Sequence, residues 1–162
     1  MSTRTLQGDI GLLGILEGFG CRVLRGEDWV EVEGGRPASG DVALSLGDMP
    51  DMVPTVAVLA ALRPGRTIIQ DAAHLRVKES DRLAALAAEL VRIGVGARET
   101  ADGLVIDGGA PHGAAIETYN DHRIAMSFAV LGLAVPGVRI ANGACVGKSF
   151  PGFWQTLEGL YA

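Results

Sequence analysis

Residues Leu16–Gly34, LEGFGCRVLRGEDWVEVEG, and Leu90–Gly108, LVRIGVGARETADGLVIDG, align without a gap at an offset of 74 residues. Leu16 falls on Leu90, Gly20 on Gly94, Asp28 on Asp102, Val32 on Ile106 and Gly34 on Gly108. Self-similarity at a fixed offset marks a repeated supersecondary unit, so these two segments decide how the rest of the chain is read. Each copy predicts an amphipathic helix, a glycine turn, a strand, an acidic turn and a second strand. In the second copy Leu83, Leu86, Ala87, Leu90 and Ile93 recur at helical spacing and define one face of a helix ending near Ile93. Val30 and Val32, like Leu104 and Ile106, occupy alternate positions, as expected of strands with one mostly wet face.

The likeness continues at an offset of 72 residues, where Val56-Ala57-Val58-Leu59 before Pro64-Gly65 corresponds to Phe128-Ala129-Val130-Leu131 before Pro136-Gly137. Each stretch predicts a helix apolar on nearly every side, a Pro-Gly turn and a strand, over 67–70 and 138–141 respectively. A helix apolar all round is surrounded by protein, so buried helices inside outer sheets are expected. The repeat units run about 7–70 and 71–147, and a third begins at 148–162, where Phe150, Phe153, Trp154, Leu157 and Leu160 form another helical stripe. The expected fold class is α/β (α+β). The chain reads as one partial domain, 1–162, a piece of a longer polypeptide with open sheet edges.

Composition narrows the function. Of 162 residues 48% are hydrophobic and 20% charged, which describes a globular chain rather than a disordered one. Fourteen basic against nineteen acidic residues give a net charge of −5, which excludes a general polyanion binder. Aromatic residues at 5% leave few platforms for stacking bases, so no nucleic-acid partner is expected. Cys21 and Cys145 with three histidines argue against a disulfide scaffold or a zinc cage. The stretches Val53–Leu62 and Ile124–Val135 are too short to cross a bilayer, and Met1–Thr5 carries no signal-peptide pattern, so a reduced, cytoplasmic protein is expected.

The candidate site follows from charges of unexpected sign. Arg76-Val77-Lys78-Glu79-Ser80-Asp81-Arg82, Tyr119-Asn120-Asp121-His122-Arg123, Asp48-Met49-Pro50-Asp51 and Gly147-Lys148-Ser149 each lead into a helix. A helix N-terminus is electropositive and favours acids. Lys78, Arg82, Arg123 and Lys148 are therefore misplaced there unless an anion sits among them. Repetition would bring these starts to one end of the molecule, with Lys78 and Lys148 in equivalent places. Taken singly, Lys78/Glu79 and Asp81/Arg82 also read as exposed ion pairs. Asp51 and Asp121 read as caps, His74 and His122 as structural histidines, and His112 as a loop residue. Gly143–Ser149 approaches a phosphate-binding loop but holds three rather than four residues between its glycines.

The runs Leu75–Arg82, Asp102-Gly103-Leu104, Tyr119–Met126 and Lys148-Ser149-Phe150-Pro151, with Gln7-Gly8-Asp9 and Met49-Pro50-Asp51, resemble the C-terminal part of the EPSP synthase family, the 3-phosphoshikimate 1-carboxyvinyltransferases. The resemblance covers almost the whole chain. It implies βαβαββ units with internal parallel helices, an enolpyruvyl transferase-like half-barrel domain that is incomplete here, and an active site in a cleft against a second domain. It further implies transfer of the enolpyruvyl group of phosphoenolpyruvate to the 5-hydroxyl of shikimate 3-phosphate, with release of phosphate. This is a step towards chorismate that needs no metal or organic cofactor and is blocked by glyphosate. By the same resemblance Arg82, Arg123 and Lys148 bind phosphoenolpyruvate. Asp51, His74 and Lys78 contact shikimate 3-phosphate, with His74 standing where the family pattern has asparagine. Asp51, Glu79 and Lys78 are the catalytic candidates, and which of them moves which proton stays open. The chain lacks the N-terminal half, its expected partner, so catalysis by the chain alone is not expected. A stand-alone anion-binding module and an enolpyruvyl transferase acting on a UDP-sugar are the alternative readings.

Overall fold

The computed structural model describes residues Gly8–Leu160; Gln7, which opens one of the family-like runs, lies outside the described residues. A short 3-10 turn at Gly8–Gly11 leads into helix α1 (Leu12–Gly18), followed by strands β1 (Arg22–Arg25), β2 (Val30–Glu33) and β3 (Val42–Ser45). Helix α2 (Val53–Leu62) and strand β4 (Gly65–Gln70) complete the first run of elements. The second run repeats the order: α3 (Arg82–Arg92), β5 (Gly96–Glu99), β6 (Leu104–Gly108), β7 (Ala115–Ile116), α4 (His122–Leu131) and β8 (Arg139–Ile140). Helix α5 (Phe153–Gly159) follows.

A repeat has no unique starting point, and hydrogen bonding groups the elements in a different phase from 7–70 and 71–147. Strands β3, β4, β6 and β5 lie side by side in that order in one sheet. β3 and β4 are parallel, with Val42 opposite Thr67, while β4 and β6 are antiparallel, with Ile68 opposite Val105. Residues 42–108 thus form one complete βαβαββ unit: β3, α2, β4, α3, β5, β6. On either side lie two incomplete ones. The β1–β2 hairpin is a last strand pair alone, and the parallel pair β7–β8 around α4 is a first half alone.

Burial follows this bookkeeping of partners. On α2 the residues Val53, Pro54, Val56, Ala57, Val58, Ala60 and Ala61 are buried, because α2 packs on α3, α4 and β6. On β6, the second interior strand of the complete sheet, Val105 is buried along with Leu104 and Ile106, so the expected wet face is absent there. The incomplete units behave differently. Trp29 and Val32 of the hairpin are 48% and 44% exposed, and Val130 of α4 is 43% exposed. Strand β8 is only two residues long, shorter than the 138–141 expected, because no further strand pairs with its other side among the described residues. Next to it, α4, β8 and α5 frame an apolar cavity of about 440 Å³ lined by residues including Leu133, Ile140, Trp154 and Leu157.

Two equivalent glycines expose the same asymmetry. A Cβ on Gly108 would stand 2.0 Å from the carbonyl oxygen of Ala60, because β6 lies directly against the end of α2. A Cβ on Gly34, its counterpart directly after β2, would meet nothing within 4 Å. Gly108→Ala is therefore expected to lower stability by about 1–3 kcal/mol through forced displacement of backbone. Gly34→Ala should stay within about 0.5 kcal/mol of the parent. Urea denaturation of both variants checks the pair, and equal losses would contradict the difference in packing. Among the described residues no helix is long and apolar enough to cross a membrane.

Candidate functional site

The N-terminal ends of α2, α3 and α4 meet at one end of the molecule, and each brings an acid. Asp51 lies in the Pro50–Met52 3-10 turn that opens α2. Asp81 caps α3 by accepting from the Ala84 N–H at 3.0 Å. Asp121 caps α4 by accepting from the Arg123 N–H at 2.9 Å. Asp81 and Asp121 satisfy free N–H groups, whereas Asp51 caps no N–H and pairs with side chains instead; all three suit the positive helix ends.

The arginines are the exception that sequence pattern marked. Arg82 is the first residue of α3, yet its side chain is only 1% exposed. A buried guanidinium must be paired. Here each of its three nitrogens reaches a different carboxylate. Nε donates to Asp121 Oδ2 at 2.8 Å, Nη1 to Asp51 Oδ1 at 3.2 Å and Nη2 to Glu79 Oε2 at 2.6 Å. Arg123, the second residue of α4, donates through Nη2 to the other oxygen of Asp51 at 2.6 Å. The two guanidinium groups therefore grip one carboxylate from two sides. Lys148, at the end of the Gly143–Lys148 3-10 turn, places Nζ 3.7 Å from Glu79 Oε1. Ser80 adds a hydroxyl donor to Asp121 Oδ2 at 3.1 Å.

His122 lies against this cluster. Its Nδ1 is 3.9 Å from Glu79 Oε1 and has no hydrogen-bond partner among the described residues. Burial pushes its pKa down, and Lys148 and Arg123 add to that against the opposing pull of Asp121 and Glu79, so the ring is neutral near pH 7. The Glu79 carboxyl is held below its ordinary range, chiefly by its own backbone N–H. Arg82 and Lys148 assist, against burial and Asp121. For Asp121, burial raises the pKa, but the hydrogen bonds from Arg82 and from the Arg123 N–H outweigh it and the carboxyl is shifted down. With His122 neutral, the formal charges of Arg82, Arg123 and Lys148 balance those of Asp51, Glu79 and Asp121. In chemical terms three cations converge on three carboxylates, an arrangement with the donors to hold an anion in place of one of those carboxylates.

The structure brings Asp51, Glu79, Arg82, Arg123 and Lys148 together, but it leaves two expected residues aside. Lys78 and His74 are exposed, and neither pairs with the cluster among the described residues. Lys78 has extended backbone, φ −88° and ψ −153°, between the Ala73–Val77 3-10 turn and α3. Consecutive side chains on extended backbone point opposite ways, so Glu79 faces Arg82 while Lys78 faces solvent. Lys148 lies five residues ahead of α5 rather than at its first turn, and it ends a 3-10 turn just as Lys78 follows one. Asp121 is more than a cap. It is fully buried and joins both arginine-bearing helices, a role its sequence position shows only as a cap signal.

This fold is that of the enolpyruvyl transferases. It superposes on EPSP synthase from Acinetobacter baumannii with a TM-score of 0.79 at 31% identity, covering 91% of this chain and 38% of that one. An enolpyruvyl transferase from Streptomyces tendae matches with a TM-score of 0.69 over 93% of this chain and 35% of that one, at 24% identity, as a likeness of fold. Sequence narrows the class. The profile of EPSP synthase (3-phosphoshikimate 1-carboxyvinyltransferase) matches residues 1–157, and the chain belongs to that family. It is 53% identical to a 3-phosphoshikimate 1-carboxyvinyltransferase of Syntrophobacter fumaroxidans over 99% of its length, and 49% identical to one of Thermococcus kodakarensis over 96%. The chain spans about 38% of the length of these relatives.

Proposed function

We propose that the chain is the phosphoenolpyruvate-gripping part of a cytoplasmic 3-phosphoshikimate 1-carboxyvinyltransferase, which becomes active when joined to the rest of the family polypeptide. The observation that carries this reading is the double grip of Arg82 and Arg123 on the two oxygens of Asp51. A planar carboxylate already sits between two forked donors, the arrangement that suits the carboxylate of phosphoenolpyruvate. Lys148 serves its phosphate as a point charge. Asp51, released from the arginines, accepts the proton of the shikimate 5-hydroxyl. Glu79 delivers a proton to the methylene carbon. Its carboxyl starts ionised; a phosphoenolpyruvate anion beside it raises its pKa, so that it takes up a proton from solvent and then passes that proton to the carbon. Lys78 and His74 face outward, on the side open to a second domain carrying shikimate 3-phosphate. The open side of β8 and the apolar cavity beneath it accommodate further chain from the same missing portion.

Joining the chain to the remaining portion of a family member tests the reading. Release of phosphate from phosphoenolpyruvate, dependent on shikimate 3-phosphate, is expected from the complex and not from the chain alone. A folded, associated complex without turnover would remove the reading. The self-neutralised cluster carries a second expectation, for the isolated chain. An incoming carboxylate or phosphate has to displace Asp51, breaking hydrogen bonds worth about 1.5–3 kcal/mol each. Asp51→Ala is therefore expected to tighten phosphoenolpyruvate binding by the isolated chain about tenfold, or about 1.4 kcal/mol, in isothermal titration. It should abolish transfer by the complex. Weaker binding by the Asp51→Ala chain would show that the carboxylate does not occupy the anion position.

A further inference from the structure

Glu89 is a carboxylate with no exposed surface, two turns along α3 from Arg82. A residue so buried has to be partnered, and its partners are specific. Oε2 accepts from Arg92 Nε at 2.8 Å and from the backbone N–H of Glu117 at 3.1 Å, and Oε1 accepts from the Tyr119 hydroxyl at 2.9 Å. Burial first, and the Glu89 carboxylate second, push the pKa of Tyr119 up, so its hydroxyl keeps the proton it donates. Two of the three donors thus belong to the segment that enters α4.

That segment is strained. Tyr119 and Asn120 have φ of 53° and 56°, in the left-handed region. Such a conformation is unfavourable for a tyrosine and persists only where the surroundings impose it. The Glu117 carboxylate braces it from within, accepting from the N–H groups of Thr118 and Tyr119 at 3.0 and 3.3 Å. Glu89 braces it from α3. Directly after the turn come Asp121 and Arg123. Positions 82 and 89 are seven residues apart and so share one face of α3. From that face Glu89 holds the turn at Glu117 and Tyr119, and Arg82 holds it at Asp121.

We propose that Glu89 is a positioning residue of this cluster of cations and carboxylates. Its carboxylate fixes the left-handed Tyr119–Asn120 turn, and the turn sets where Asp121 meets Arg82 and where Arg123 meets Asp51. This rests on the reading of Arg82 and Arg123 as the anion grip. The test uses the full chain and the side-chain Nε–H signals of Arg82 and Arg123 in NMR, first without ligand and then with phosphoenolpyruvate as probe. Tyr119→Phe removes one donor while keeping the ring, and Glu89→Gln replaces the acceptor pair while keeping the shape. Leu90→Val, a neighbouring fully buried position, is the control for loss of stability alone. Both Tyr119→Phe and Glu89→Gln are expected to move the two arginine signals and to weaken phosphoenolpyruvate binding, by about tenfold for Glu89→Gln, the effect of one charge-assisted hydrogen bond. Leu90→Val should do neither. Arginine signals that respond to Tyr119→Phe and Glu89→Gln no more than to Leu90→Val would overturn the proposal. If Glu89→Gln does not fold, Tyr119→Phe decides alone. Arginine signals that move in a chain binding no phosphoenolpyruvate would support the positioning role, and it would be the assignment of the anion that fails.

Discussion

Asp121→Ala is expected to lower the stability of the chain by about 3–5 kcal/mol, the cost of stripping a partner from a buried charge. Asp121 is fully buried and accepts from Arg82 Nε, Ser80 Oγ and the Arg123 N–H. Its removal leaves a guanidinium that is 1% exposed with one unsatisfied arm, and it deletes the cap of α4. In a domain of this size each kcal/mol moves Tm by about 2–4 °C, so a fall of about 6–20 °C in thermal unfolding is the expected readout. Asp121→Asn separates the two causes, because asparagine caps as well as aspartate but carries no charge for Arg82. It should lie between the parent and Asp121→Ala. The same carboxylate sets part of the acid limit. Its folded pKa is depressed below 3.8, so its stabilisation is complete above that value and disappears as pH falls through the folded value. Unfolding followed from pH 7 downwards should therefore steepen below about 3.8 in the parent and remain flatter in Asp121→Ala. A loss under about 1 kcal/mol would mean that Asp51 and Glu79 satisfy Arg82 without Asp121.

Much of this architecture is visible in the chain before any coordinates. The offset of 74 residues between Leu16–Gly34 and Leu90–Gly108 is the repeat of helix and antiparallel strand pair seen in α1–β1–β2 and α3–β5–β6. Helical periodicity on α3 is strong because its Leu83, Leu86, Leu90 and Ile93 face is fully buried. Arg82 and Arg123 are legible by their sign, since a cation at a helix entrance conflicts with the helix field unless something negative answers it, whereas Lys148 joins the cluster from a 3-10 turn five residues ahead of α5. Three things were not legible. The phase of the sheets depends on which strands find partners, and periodicity is blind to that. The separation of Lys78 from Glu79 depends on a backbone twist at one residue. The buried acids Glu89 and Asp121 look in sequence like a helix-surface charge and a cap, and only packing shows that both hold the entrance of α4. Two of these share a cause: the strand pairing and the buried acids are contacts between elements distant in sequence, which a pattern within one element does not carry, whereas the Lys78–Glu79 separation is set by local backbone.

Arg123→Ala is expected to cost a large part of the function while sparing the fold. In the complex of the chain with its missing portion, kcat/KM for phosphoenolpyruvate should fall by about 10²–10³, the range seen when one preorganised donor to a developing anion is removed. The fold should survive, because the Arg123 side chain is 29% exposed and, with Asp51, lines a groove between α2 and α4. Arg82→Ala would be a poorer probe, since that side chain is buried among three acids and its loss confounds stability with catalysis. Arg123→Lys refines the test. Lysine restores the charge as a point but not the planar fork, so it should recover only part of the loss and recover it in KM more than in kcat. Full recovery by lysine would reduce the role of Arg123 to long-range attraction. An unchanged kcat/KM for Arg123→Ala in a complex of normal stability would remove the double grip, and with it the reason for placing the phosphoenolpyruvate carboxylate where Asp51 now sits.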